Sequence, residues 1–176
     1  MQIAYQGILP KIHPTAFIAE GAMIIGDVTI GEESSIWFNC VLRGDLNRIE
    51  VGKRTNIQDG AIVHLETDLP CLIGDDVTIG HNAIVHGCTV ADEAMISMGA
   101  IILSGAKIGK RAIVAAGAVV REGQEIPQDA LAMGIPAQIK RDLTQTDLER
   151  VRLGKDDYIL RGQLMREARC TSSKAH

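Results

Sequence analysis

Residues 90–126 read VADEAMISMGAIILSGAKIGKRAIVAAGAVVREGQEI, a stretch built on a six-residue repeat. Val90, Ile96, Ile102, Ile108, Val114, Val120 and Ile126 recur at intervals of six. Four residues after each of the first five comes alanine, at Ala94, Ala100, Ala106, Ala112 and Ala118, and Gln124 breaks the run. An α-helix returns to one face every 3.6 residues and a half-buried strand every two, so neither accounts for a return at six. A coil of three short strands per turn does. The aliphatic residue and the small residue two positions before it point inward, and those between point out.

The pattern continues upstream. Ile73, Ile79 and Val85 form one series, separated from Val90 by a step of five; Val51, Ile57 and Val63 form another; Ile12, Ile18, Ile24, Ile30, Ile36 and Leu42 form a third. Small or slender residues keep the companion position at Ala16, Ala22, Val28, Ser34, Cys40, Thr55, Ala61, Val77 and Ala83, with Leu46 as an exception. Coils stacked at about 4.8 Å give a triangular prism of roughly six coils, on the order of 30 Å tall. Crossover connections are normally right-handed. This spacing instead resembles the hexapeptide-repeat proteins, which implies a left-handed parallel β-helix.

Two interruptions mark where loops leave the prism. The step from Leu42 to Val51 is nine, which adds residues near Gly44 to Ile49, and the step from Val63 to Ile73 is ten, which adds residues near Glu66 to Pro70. Insertions in a solenoid often line its binding face. The repeat ends after Pro136, so residues 1–140 are expected to form the β-helix and residues 141–176 a C-terminal helix packed on it. Thr144 suits a cap, Asp147 and Glu149 suit a first turn, and Leu160, Leu164 and Ala168 make an apolar stripe. Gly154 is expected to divide that helix in two, and the tail from Cys170 to His176 to fray.

Composition narrows the function classes. The 176 residues are 46% apolar and 23% charged with a net charge of −4, which offers no basic field for nucleic acid. No stretch approaches the roughly 20 apolar residues of a membrane span, and Met1–Pro10 lacks a leader pattern, so a cytoplasmic protein is expected. Cys40, Cys71, Cys88 and Cys170 show no metal-type spacing and read as buried or reduced thiols. Aromatic residues make up only 3%, which suits a narrow aliphatic interior.

The chemistry lies in the histidines. His64 follows Val63 and His86 follows Val85, equivalent positions on adjacent coils, so the two should stack one rung apart and face outward. His81 lies two residues after Ile79, at a corner, where it does not reach that pair. A neighbouring prism could supply its own His81, and repetition of this contact about a three-fold axis closes a homotrimer. Three imidazoles with an open fourth position are a catalytic zinc pattern. Arg43 belongs to the column of His64 and His86, Asp59 should lie beside His81, and Gln58 faces outward with Asn56 and Asp45 near it. His13 reads as structural, being followed by Pro14.

Together, Arg43-Gly44-Asp45, Asn56-Ile57-Gln58-Asp59, His64, His81 and His86 resemble the γ-class carbonic anhydrases over essentially the whole chain, including Gly134-Ile135-Pro136-Ala137 and the C-terminal helix. The resemblance implies zinc, with iron or cobalt as substitutes, held by His64 and His86 of one subunit and His81 of the next. It implies that Arg43 and Asp45 pair across the subunit interface, that Gln58 and Asn56 orient water and substrate, and that Asp59 supports the site. It further implies that Tyr158 approaches the site and that carbon dioxide is hydrated to bicarbonate. Where the best-known branch has a glutamate after the aspartate, this chain has Leu46, and its acidic loop is short. Glu66 is then the candidate general acid and base. Rival readings are a metal-dependent hydrolase of CoA thioesters, a hexapeptide acyltransferase, and a non-catalytic metal-binding trimer used in assembly.

Overall fold

The computed structural model describes residues 1–172, with side chains described through residue 168. Parallel strands stack into a β-solenoid of about seven turns, closed by one C-terminal helix. The inward residues form three columns, one per wall. Ile24, Leu42, Val63, Val85, Ile102 and Val120 pair in succession on the first. Ile12, Ile30, Val51, Ile73, Val90, Ile108 and Ile126 do so on the second. Ile18, Ile36, Ile57, Ile79, Ile96 and Val114 line the third, and Ala132 extends it. From Ile24 onward every aliphatic residue of the six-residue repeat is buried. Alanine stacks where a larger side chain would overfill the triangle, so the core follows directly from the repeat.

The first interruption is a long strand, Val41–Val51, that turns a corner and carries Arg43, Asp45 and the exposed Leu46. The second is a tight turn in which the backbones of Glu66 and Leu69 bond each other at 3.2 and 3.3 Å. Corners between walls use left-handed backbone. Gly60 has φ +71°, and a Cβ there would lie 2.3 Å from Asn82 Oδ1 of the next coil. Glycine is the residue that avoids both the strain and the clash.

Strand Gln138–Asp142 runs antiparallel to Ala130–Met133 and spans the boundary expected at residue 140. The helix, Gln145–Ser172, then begins at a reciprocal cap: Thr144 Oγ1 accepts from the Asp147 backbone, and Asp147 accepts from the Thr144 backbone. It differs from expectation in three ways. Gly154 does not divide it, because one glycine costs only about 1 kcal/mol in a helix and the wall contacts on either side hold it. Helix continues through Ser172; residues 173–176, where the rest of the frayed tail was expected, lie outside the described residues.

The packing face is also not the leucine stripe, since Leu160 and Leu164 are each 54% exposed. Tyr158 and Met165 pack on Phe17 and Trp37 instead, while a Cβ on Gly162 would lie 3.3 Å from that of Ser35. The wall presents two large rings beside a small serine, and this relief selects a tyrosine and a glycine over leucines. Trp37 meets Phe17 and Tyr158 edge-on, each at 5.3 Å between ring centres. Lys155 reaches Asp76 at 3.0 Å, Gln163 reaches Glu33 at 3.1 Å, and Arg166 donates to the Thr15 carbonyl at 3.0 Å. Burial alone would raise the Asp76 carboxyl, but Arg54 and Lys155 hold it below its ordinary value.

Cys40, Cys71 and Cys88 are buried free thiols, and burial pushes the Cys40 thiol up to about 11. The Cys170 side chain lies outside the described residues. His13 bonds Thr15 Oγ1 at 2.8 Å within its own coil. Among the described residues no helix is long and apolar enough to cross a membrane.

Candidate metal centre

The residues singled out in the sequence gather in two clusters. The first sits on the first wall. His64 and His86 are register partners on adjacent strands, Ile62–His64 and Ile84–His86, and their rings lie 5.1 Å apart. His64 Nδ1 and His86 Nε2 approach to 3.1 Å. The far nitrogens are engaged elsewhere, His64 Nε2 with Asp45 Oδ1 at 2.9 Å and His86 Nδ1 with Ser104 Oγ at 2.9 Å. Arg43 donates to the other oxygen of Asp45. Burial would raise Asp45, but hydrogen bonds from His64 and Arg43 keep its carboxyl below the ordinary range.

The second cluster sits where the corner after the third wall meets the helix. His81 Nδ1 lies 2.8 Å from Asp59 Oδ2, and His81 Nε2 lies 3.3 Å from the Tyr158 hydroxyl. Burial and the nearby Asp59 charge raise the Tyr158 phenol above its usual value, so it stays protonated. Gln58 Nε2 donates to Asn56 Oδ1 at 3.0 Å, and Asn56 Nδ2 donates to Thr78 Oγ1 at 2.9 Å. His81, Tyr158, Gln58, Met95 and Met98 line a cleft of about 440 Å³ between helix and wall.

Several placements differ from the sequence reading. Gln58 and Asn56 do point out of the prism, but the helix covers that wall and leaves them only 6% and 1% exposed. Asp45 joins His64 rather than Gln58, because the long strand carries it along the first wall. Arg43 and Asp45 meet within one chain, so their pairing does not require a second subunit. Glu66 lies behind His86, 3.9 Å from Nδ1 and bonded to Ser104 Oγ at 3.1 Å, on the ring edge opposite Nε2. Thr78 and Ser104 were not singled out in the sequence. The repeat register could have found both, since Thr78 pairs with Asn56 and Ser104 follows the corner one coil beyond His86.

Among the described residues of one chain, no three groups of ligating type are gathered around a single point. The facing His64–His86 pair nevertheless has the chemistry and spacing of two ligands on one ion. Two imidazole nitrogens on one tetrahedral zinc stand about 3.3 Å apart, close to the observed spacing. The hydrogen count agrees. Four contacts run in a row, Asp45–His64, His64–His86, His86–Ser104 and Ser104–Glu66, and each needs one hydrogen. Two neutral imidazoles and one hydroxyl supply three, leaving two lone pairs face to face unless a metal ion or one further proton lies between them. His81 has its Nδ1 turned to a carboxylate, which leaves Nε2 as the ligating atom.

Known proteins resemble the chain over most of its length. The model of the bacterial transferase hexapeptide family (six repeats) matches residues 10–44 and 87–122. Gamma carbonic anhydrase 2, mitochondrial, of Arabidopsis thaliana is 45% identical over 88% of this chain, and the chain spans 58% of that protein's length. The carbonic anhydrase of Geobacillus kaustophilus is 48% identical over 90% of this chain and 87% of its own. The chain belongs to the γ-class carbonic anhydrase family. A crystal structure from Bacillus cereus, provisionally described as an acetyltransferase, superposes with a TM-score of 0.95 at 43% identity, over 96% of this chain and 98% of that one.

Proposed function

We propose that the protein catalyses the reversible hydration of carbon dioxide to bicarbonate at zinc sites between the subunits of a homotrimer. The observation that carries this reading is the His64–His86 pair, with facing nitrogens 3.1 Å apart and both outer nitrogens tied off. His64 and His86 of one subunit and His81 of the neighbouring subunit would hold the ion, and iron or cobalt could replace zinc. When bound, zinc acts as a Lewis acid that makes water nucleophilic near neutral pH.

The rest is the work of the chain. Asp45, held ionised by Arg43, fixes the orientation of His64, and Asp59 does the same for His81. Thr78 and Asn56 set the amide of Gln58 so that Nε2 is spent on Asn56 and Oε1 can accept from water or a nascent bicarbonate. Tyr158, pinned by Trp37, keeps a protonated hydroxyl beside His81 as a donor to substrate oxygen. Attack of water on carbon dioxide forms one C–O bond and releases one proton. Leu46 cannot carry that proton, and Glu66 is engaged behind His86, so external buffer is expected to remove it and turnover to rise with buffer concentration.

A second reading has its own support. The cleft beside His81 is far larger than carbon dioxide needs, and Met95 and Met98 make it partly apolar, as an acyl group of a CoA thioester would require. Stopped-flow hydration of carbon dioxide by the zinc-loaded protein, run beside a panel of acyl-CoA thioesters, separates the readings. Hydration above the buffer rate supports the first. Thioester cleavage or acyl transfer without hydration replaces it with the second, and zinc binding with neither activity leaves a metal-stabilised assembly protein.

A further inference from the structure

We propose that Ser104 is a positioning residue for the metal ligand His86, and that it acts as the link between this imidazole and the carboxylate of Glu66. The inference rests on the metal-centre reading above. Three successive segments converge on this corner. The turn Glu66–Leu69 folds over the next coil so that a Cβ at Gly87 would lie 3.5 Å from Glu66 Cγ, and Ser104 rises from the coil beyond.

The serine hydroxyl has one hydrogen and two neighbours, His86 Nδ1 at 2.9 Å and Glu66 Oε1 at 3.1 Å. A carboxylate oxygen accepts only, so the arrangement that satisfies both contacts sends the hydroxyl hydrogen to Glu66 and takes the Nδ1 hydrogen of His86 onto Oγ. That choice sets the tautomer. His86 carries its hydrogen on Nδ1 and keeps the lone pair on Nε2, the atom facing His64 Nδ1. Asp45 imposes the matching condition on His64 by accepting from Nε2, so the two nitrogens prepared for a metal are the two that face each other. The three histidines thus have supports of two kinds: a carboxylate directly for His64 and for His81, and a carboxylate acting through a hydroxyl for His86. Outer partners of this kind fix ring orientation and raise ligand basicity. Glu66 also gains a role distinct from proton transfer, since through Ser104 it strengthens His86 as a ligand.

The test is zinc affinity, measured by competition with a chromophoric chelator on the assembled protein, together with the visible spectrum of the cobalt-substituted form. Ser104→Ala should weaken zinc binding about tenfold or more, and Ser104→Thr, which keeps the hydroxyl, should remain within about threefold of the parent. The cobalt spectrum should shift in Ser104→Ala and return in Ser104→Thr. Glu66→Ala should weaken binding by several-fold in the parent and by nothing further in Ser104→Ala, because it acts through the hydroxyl. An affinity for Ser104→Ala within about twofold of the parent would overturn the proposal, as would an equal effect of Glu66→Ala in both backgrounds. If Ser104→Ala does not fold, Glu66→Ala alone decides: parental affinity in that exposed-loop variant overturns the link. His64→Ala separates the two levels. Loss of zinc there with Ser104→Ala unchanged removes only the role of Ser104, whereas full zinc retention in His64→Ala removes the metal centre itself.

Discussion

The two halves of the site are built by different means. The His64–His86 half is a product of register: two identical positions on adjacent coils, held by Asp45 and Ser104 from neighbouring positions of the same solenoid. The His81 half depends on a separate element, because Tyr158, Lys155 and the cover over Asn56 and Gln58 all come from the helix Gln145–Ser172. The first half should survive anything short of unfolding the prism. The second should fail first when the helix loosens, since a docked helix opens at a lower free energy than a stacked core.

Trp37→Ala should give the largest break between the halves. It removes the ring against which Tyr158 packs, at a cost of roughly 3–5 kcal/mol. Hydrogen exchange should quicken across residues 145–172 and stay slow at residues 62–64 and 84–86; equal quickening in both would show that the halves are not separable. Asp59→Asn sharpens the comparison at the ligand level. It should weaken zinc binding about 10–100-fold without disturbing the His64–His86 contact, which can be followed through the imidazole resonances of the metal-free protein.

Asp76→Asn should act more weakly and in a pH-dependent way. The folded carboxyl sits below its ordinary value of 3.8, so its contribution is present at neutral pH and fades as pH falls through that value toward the folded one. The gap in melting temperature between the variant and the parent should therefore be widest near pH 7 and narrow below pH of about 4. A constant gap would remove the ion pair from the account of helix docking.

The contrast also explains how much of the molecule was legible in the sequence. The three columns, the stacking of His64 on His86 and the placing of Asp59 beside His81 follow from counting by six, because a solenoid converts sequence spacing directly into position. The face used by the helix does not follow, since it depends on the relief of a wall built from Phe17, Ser35 and Trp37, residues distant in sequence. Leu160 and Leu164 looked like the buried stripe for that reason, and nothing in the repeat showed that the outward-facing Gln58 and Asn56 would be covered. The insertions were visible as extra residues, but their paths were not. Asp45 therefore appeared nearer Gln58 than His64, and Glu66 appeared as a free acid rather than a group bonded to Ser104.

In the proposed trimer, one half-site of one subunit completes the other half-site of its neighbour. His64→Ala and His81→Ala should each lose metal and activity as pure homotrimers. Unfolded together and reassembled as a mixture, they should recover function, because every mixed ring contains one junction where an intact His64–His86 pair meets an intact His81. Random assembly makes about three quarters of the trimers mixed, which restores roughly one quarter of the sites. Zinc stoichiometry and carbon dioxide hydration should rise together to about that fraction. Mixed trimers, verified by mass, that bind no metal would rule out a site shared between subunits.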